Sequence, residues 1–203
     1  MVLIRISGTA VTVKPTVLVL LATVLGVVTW VGFRRHPKRK LGEGLLVGVA
    51  SFVALVVVEW GHAFAHIISA RFAGAPMDEL RITAGMPRTL YWNNEVPPNV
   101  HRLRALGGPI FNTLGFLLSL TIYRTASRTS VARELAGWSA IGHGLLLLMS
   151  LTPLPTVDGG TLLKWTLVAR GRSEAEADAL VDRVDRSMGI LGVILRIASS
   201  LGG

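Results

Sequence analysis

The chain has 203 residues, 51% of them hydrophobic and only 16% charged, and Lys and Arg outnumber Asp and Glu by 21 to 12. That balance is a membrane protein's, and the basic residues gather at the ends of apolar runs, above all in FRRHPKRK at 33–40. They read as headgroup anchors, which excludes nucleic acid as a partner, and the absence of cysteine excludes disulfides and thiolate metal sites.

The opening MVLIRISGTAVTVKP lacks the layout of a cleaved signal peptide, so the first apolar run is expected to be a retained span. Crossing the hydrocarbon takes roughly 20 apolar residues. Runs at 15–33, 44–70, 103–123 and 135–151 fit that length, and the last breaks at TPLPTVDGG. Two shorter apolar pieces follow, at 161–169 and 190–198. Between them RSEAEADALVDRVDRS has helical periodicity with charge on most faces, the pattern of a surface helix. Between the second and third runs, ELRIT at 79–83 and RTLYW at 88–92 alternate and carry β-branched or aromatic residues, predicting a short hairpin, with NNEVPPN as a connector. The expected fold is an all-α polytopic membrane protein with about four to six transmembrane helices and a small β-hairpin at the membrane face. It forms a single integral membrane domain over 1–203, with core spans at about 44–165 and an amphipathic, short apolar C-terminal segment at 171–203.

The stretch EWGHAFAH at 59–66 puts two histidines four residues apart inside an apolar run, where polar side chains are costly. His62 and His66 share one helix face about a turn apart. This is the spacing by which H-E-x-x-H offers two nitrogens to one metal. It also suits two structural histidines bonded to neighbouring helices or facing a wet cavity. Two registers compete. VEWGH keeps Glu59 and one histidine but has Val58 in place of the first ligand; HAFAH keeps both histidines and has Ala63 in place of the glutamate.

With its flanking motifs, the sequence resembles the site-2 protease family of intramembrane zinc metalloproteases. Members follow the second histidine with small or apolar residues, then basic and aromatic ones, and a glycine about eight positions on. IISARFAG reaches Gly74 at that distance from His66, which selects the HAFAH register. GGPIFN at 107–112 resembles the family's G-P-x-x-N, with Asn112 as its polar residue. PLPTVDGG at 153–160 resembles P-x-P-x-x-D-G, whose aspartate matches Asp158.

The resemblance implies one Zn²⁺ per chain held by His62, His66 and Asp158, with a coordination position left open as in catalytic sites. It implies hydrolysis of peptide bonds in or near transmembrane segments of membrane-protein substrates. Substrate contacts are expected at Asn112, at Ser150 where the family often has asparagine, and at Pro153 and Pro155. The hairpin is a candidate clamp for unwound substrate by strand addition.

Ala63 stands at the general base's position, so the chain as written is expected to be inactive or nearly so, since losing such a group costs about 10²- to 10⁴-fold in rate. An inactivating Glu→Ala substitution is the first reading of that gap; a natural pseudoprotease that binds membrane clients, or a polar-relay transporter, are the alternatives. Glu59 is expected to hold the His62 ring or to serve as a substitute base through a water, and His143 to bond to a neighbouring helix. The partners are a transmembrane protein substrate and the lipid bilayer; the sequence identifies no regulatory membrane partner. The plasma membrane is the expected location, with the metal site nearer the cytoplasmic face because His66 lies about 8 Å of helix before Arg71. That places the basic 33–40 loop outside, against the positive-inside tendency.

Overall fold

The residues before the first apolar run, for which the sequence suggested no element, form strands. In the computed structural model, which describes residues 2–189 together with 193, 194, 197 and 200, β1 (Val2–Ile6) and β2 (Thr9–Val13) pair antiparallel. Ser7 and Gly8 turn the corner, both with positive φ, 51° and 91°, the two-residue geometry whose twist suits a hairpin. β2 then lies parallel to β3 (Glu79–Ile82), which pairs antiparallel with β4 (Arg88–Leu90). The expected hairpin is therefore half of a four-stranded sheet in the order β1-β2-β3-β4.

Side chains tie the two halves of the sheet together. The Thr9 hydroxyl donates to the Met77 carbonyl at 2.7 Å, and the Thr12 hydroxyl to Glu79 Oε1 at 2.6 Å. The Arg81 guanidinium, with help from Thr12, holds the Glu79 carboxyl below the usual carboxylate range.

Among the described residues three helices are long and apolar enough to cross a membrane: α1 (Val17–Arg35), α2 (Leu41–Phe72) and α3 (Pro98–Thr125). α2, at 32 residues, is about 48 Å long and exceeds the roughly 30 Å hydrocarbon core, so it projects from it. α4 (Val131–Ser150) was expected as a fourth span, but Arg133, Glu134 and His143 lower its mean hydropathy and it does not join the other three. α5 (Asp158–Ala169) is 12 residues, about 18 Å, too short to cross alone. The expected surface helix is α6 (Glu174–Ser187), opened by a reciprocal Ser173–Glu176 cap and pinned to α5 by Lys164, which reaches Asp178 at 2.9 Å. The apolar piece expected at 190–198 lies largely outside the described residues.

One apolar cluster fixes the sheet to the end of α2 that carries the histidines. Val11 of β2, Leu80 and Ile82 of β3 and Met77 pack on Ala63, Ile67 and Ala70 of α2, with Val17 from α1. At the other end of α2, Arg39 in the α1–α2 turn donates to Glu134 at 2.7 Å, tying that turn to the start of α4.

Candidate metal centre

His62 and His66 project from α2 toward the first residue of α5. A loop through Leu154 and Val157, both buried, delivers Asp158 to that position. His62 Nε2 and His66 Nε2 are 3.2 Å apart; Asp158 Oδ2 is 3.3 Å from the first and Oδ1 3.3 Å from the second. Together they form a group able to hold a metal ion. Two ligands at about 2.0–2.1 Å from a tetrahedral ion lie roughly 3.3 Å apart, so the spacing matches.

The bonding of His66 is compatible with that role. His66 Nδ1 is 2.9 Å from the Arg104 carbonyl, which can only accept, so in the neutral ring Nδ1 holds the proton and Nε2 is a bare lone pair. That lone pair faces a carboxylate oxygen. Two donors of electron density set this close call for a positive charge between them, supplied by a metal ion or by a proton on the ring.

The His62 ring is held from its far side. Asn112 Nδ2 is 2.8 Å from His62 Nδ1, and Asn112 Oδ1 is 3.0 Å from His143 Nδ1, so one amide links α2, α3 and α4. His143 thus bonds to a neighbouring helix as expected. Asn112, expected at a substrate contact, is 0% exposed with both ends of its amide bonded to these rings. Glu59 does not hold the His62 ring, a place that Asn112 takes; Glu59 makes no hydrogen bond or ion pair among the described residues. Ser150 ends α4 with its hydroxyl donated to the Leu147 carbonyl at 3.2 Å rather than held out for a substrate. Pro155 is exposed and Pro153 half-buried, on the loop leading to Asp158. Ala63 is 2% exposed and belongs to the cluster beneath the sheet.

Close approach of α3 to these rings explains GGPIFN. A Cβ on Gly108 would overlap the rings of both His62 and His66, and one on Gly107 would overlap the Ala65 carbonyl. Asn112, one turn after Gly108, then falls on the same face. Gly108→Ala is expected to displace the rings, lowering metal occupancy and stability, the latter by about 1–3 kcal/mol. Gly26→Ala, on α1 with nothing within 4 Å of the added methyl, is the control that leaves both unchanged or slightly raises stability; metal content and thermal unfolding check both.

A cavity of about 220 Å³ opens beside His66 and Asp158, walled by Thr89 and Tyr91 at β4, His101 and Arg104 of α3 and Trp165 of α5. Burial pushes the Tyr91 phenol up to about 12, so its hydroxyl stays protonated. Arg104 and His101 are the residues beside the cluster that sequence reasoning missed. Arg104 reads as a flank of the third apolar run, although an ionisable residue within four positions of the GGP motif is itself a signal.

Fold and site together define a helical membrane protein with a small sheet and a two-histidine, one-aspartate cluster capable of holding a metal. Among solved structures its fold is similar to that of the Site-2 Protease from Methanocaldococcus jannaschii, with a TM-score of 0.55 at 13% identity over 98% of this chain and 86% of that chain. No protein-family model and no curated protein matches the sequence.

Proposed function

We propose that the chain is a multi-pass intramembrane zinc metalloprotease of the site-2 type that lacks its general base. The carrying observation is the convergence of His62, His66 and Asp158 from two helices with donor atoms 3.2–3.3 Å apart. The fold shared with a site-2 protease supports the same reading.

Zinc held there by His62, His66 and Asp158 would supply a Lewis acid for the scissile carbonyl. The rest of the chemistry belongs to the chain's own residues. Asn112 and the Arg104 carbonyl fix the two rings from behind, and Asp158 completes the ligand set from the first turn of α5. The sheet supplies a place for unwound backbone: among the described residues β4 pairs only with β3, leaving its other edge for strand addition, and Thr89 and Tyr91 at that strand line the cavity beside the cluster. The missing function is proton transfer, because a methyl group at position 63 neither takes a proton from water nor delivers one to the leaving amine.

A second reading has its own observation. The Ala63 methyl is packed among Val11, Ile67 and Leu80 with almost no exposure, which suits a natural pseudoprotease that binds membrane clients as well as it suits an inactivated enzyme. The proteolytic reading requires zinc, which a pseudoprotease can do without. The protein purified with zinc is expected to carry one ion per chain, with the ion lost in His62→Ala and in Asp158→Asn; a zinc-free protein that remains folded would overturn the proteolytic reading and leave the pseudoprotease and the polar-relay transporter. The cell membrane is the proposed location, with the site nearer the cytoplasmic face. In support, the histidines and the sheet lie toward the end of α2 that closes on Arg71 and Phe72.

A further inference from the structure

Arg104 carries a charge that the metal centre does not explain. The residue is 4% exposed. Its Nε donates to the Ala75 carbonyl at 2.9 Å, Nη1 donates to Asn94 Oδ1 at 3.1 Å, and the guanidinium lies 4.0 Å from the centre of the Tyr91 ring. Each of these partners is neutral. Among the described residues no carboxylate lies within ion-pair distance, and Nη2 has no acceptor. Asp158 shares the cavity, but its two oxygens face the histidines. Asp78 acts on the guanidinium only from beyond ion-pair distance, and a buried cation without a direct ion pair costs stability unless something fills that role.

His101 and Thr161 also line the cavity. His101 is 5% exposed and stacks on Trp165 with ring centres 3.6 Å apart and planes 3° from parallel; its buried Nε2 has no hydrogen-bond partner. Thr161 lies in the first turn of α5, where the helix dipole favours negative charge. A planar guanidinium with a free Nη2 edge suits a carboxylate in particular.

We propose that this cavity is a subsite for a carboxylate carried by the peptide substrate, bound by Arg104 immediately beside the metal cluster. The proposal rests on the proteolytic reading only for the ligand being a peptide. Two sources share that chemistry, an acidic side chain near the scissile bond and a free C-terminal carboxylate.

Three dye-labelled peptides of one apolar sequence separate them: one with a central Glu and an amidated end, one with Gln in its place and an amidated end, and the Gln peptide with a free carboxylate. Binding is read by fluorescence anisotropy on the full-length, zinc-loaded protein in lipid nanodiscs. At least one carboxylate peptide is expected to bind about tenfold or more tightly than the amidated Gln peptide, and the arm that does so names the source. Arg104→Gln is expected to remove the preference. Thr89→Glu leaves the guanidinium in place and sets a carboxylate in the cavity, so it removes the preference without lowering the unfolding temperature, and it decides the matter if Arg104→Gln does not fold. Equal or absent binding of the three peptides overturns the subsite, as does a preference that survives in Thr89→Glu. Zinc content measured on the same samples keeps the two readings apart: one ion per chain with no preference sinks the subsite alone.

Discussion

Replacing Ala63 with glutamate is expected to raise cleavage of a transmembrane-peptide substrate by about 10²- to 10⁴-fold, the contribution of a positioned acid/base, or about 3–5 kcal/mol of barrier. Position 63 follows one ligand and precedes the other by three residues on α2, so the new carboxylate starts within a turn of both rings. The gain is expected to carry a cost. Ala63 lies in an apolar cluster at 2% exposure, and a longer polar side chain there must displace neighbours or turn toward the cluster of ligands. Ala63→Gln separates volume from chemistry, because glutamine has nearly the same size without the titrating oxygen. The glutamate and glutamine variants should lose similar thermal stability and bind zinc alike, while only the glutamate variant cleaves. If both are folded, loaded and silent, the proteolytic reading fails. Glu59→Gln added to the glutamate variant should leave the rate unchanged, since Glu59 bonds to no member of the site.

The three members of the cluster were legible in the sequence because metal chemistry would restrict residue type and helix geometry restricts spacing; His62, His66 and Asp158 stood out by their motifs alone, and the fold brings them together. The sheet was only half legible. β3 and β4 are joined locally and announce themselves by alternation, whereas VLIRI is apolar almost throughout and hides its period. The dipeptide Ser7–Gly8 between two β-branched runs was the available signal. The parallel pairing of Ala10 with Glu79 has no local signature. Asn112 was identified, but its bonds to His62 and His143 were not, because those partners come from two other helices and leave no period along the chain. Gly108 was visible as a motif letter, yet its reason, two imidazoles where a Cβ would be, exists only once α2 and α3 are packed.

Asn112→Leu is expected to weaken zinc binding by about 10- to 100-fold, the usual cost of removing a group that orients a ligand from behind. The substitution nearly preserves volume but leaves His62 Nδ1 and His143 Nδ1 without partners in a buried site, which should also cost about 1–3 kcal/mol of stability for each unpaired group. The direction of the amide makes the test sharper. An imidazole that offers Nε2 as a ligand keeps its proton on Nδ1 and needs an acceptor there, so the end of Asn112 facing His62 must be Oδ1. The amide as placed presents Nδ2 at 2.8 Å and turns Oδ1 to His143 at 3.0 Å. The two orientations differ by a half-turn of the amide and are told apart only by their bonding. Zinc loading therefore favours the orientation in which His62 donates to Oδ1 and Nδ2 donates to His143. Asn112→Asp keeps an acceptor for His62 and adds charge that raises the ring's basicity, so it should hold zinc at least as tightly as the unmodified chain, whereas Asn112→Leu should not. Competition against a chromophoric chelator measures both. Equal losses in Asp and Leu would show that Asn112 acts through packing rather than as the acceptor that fixes the His62 proton.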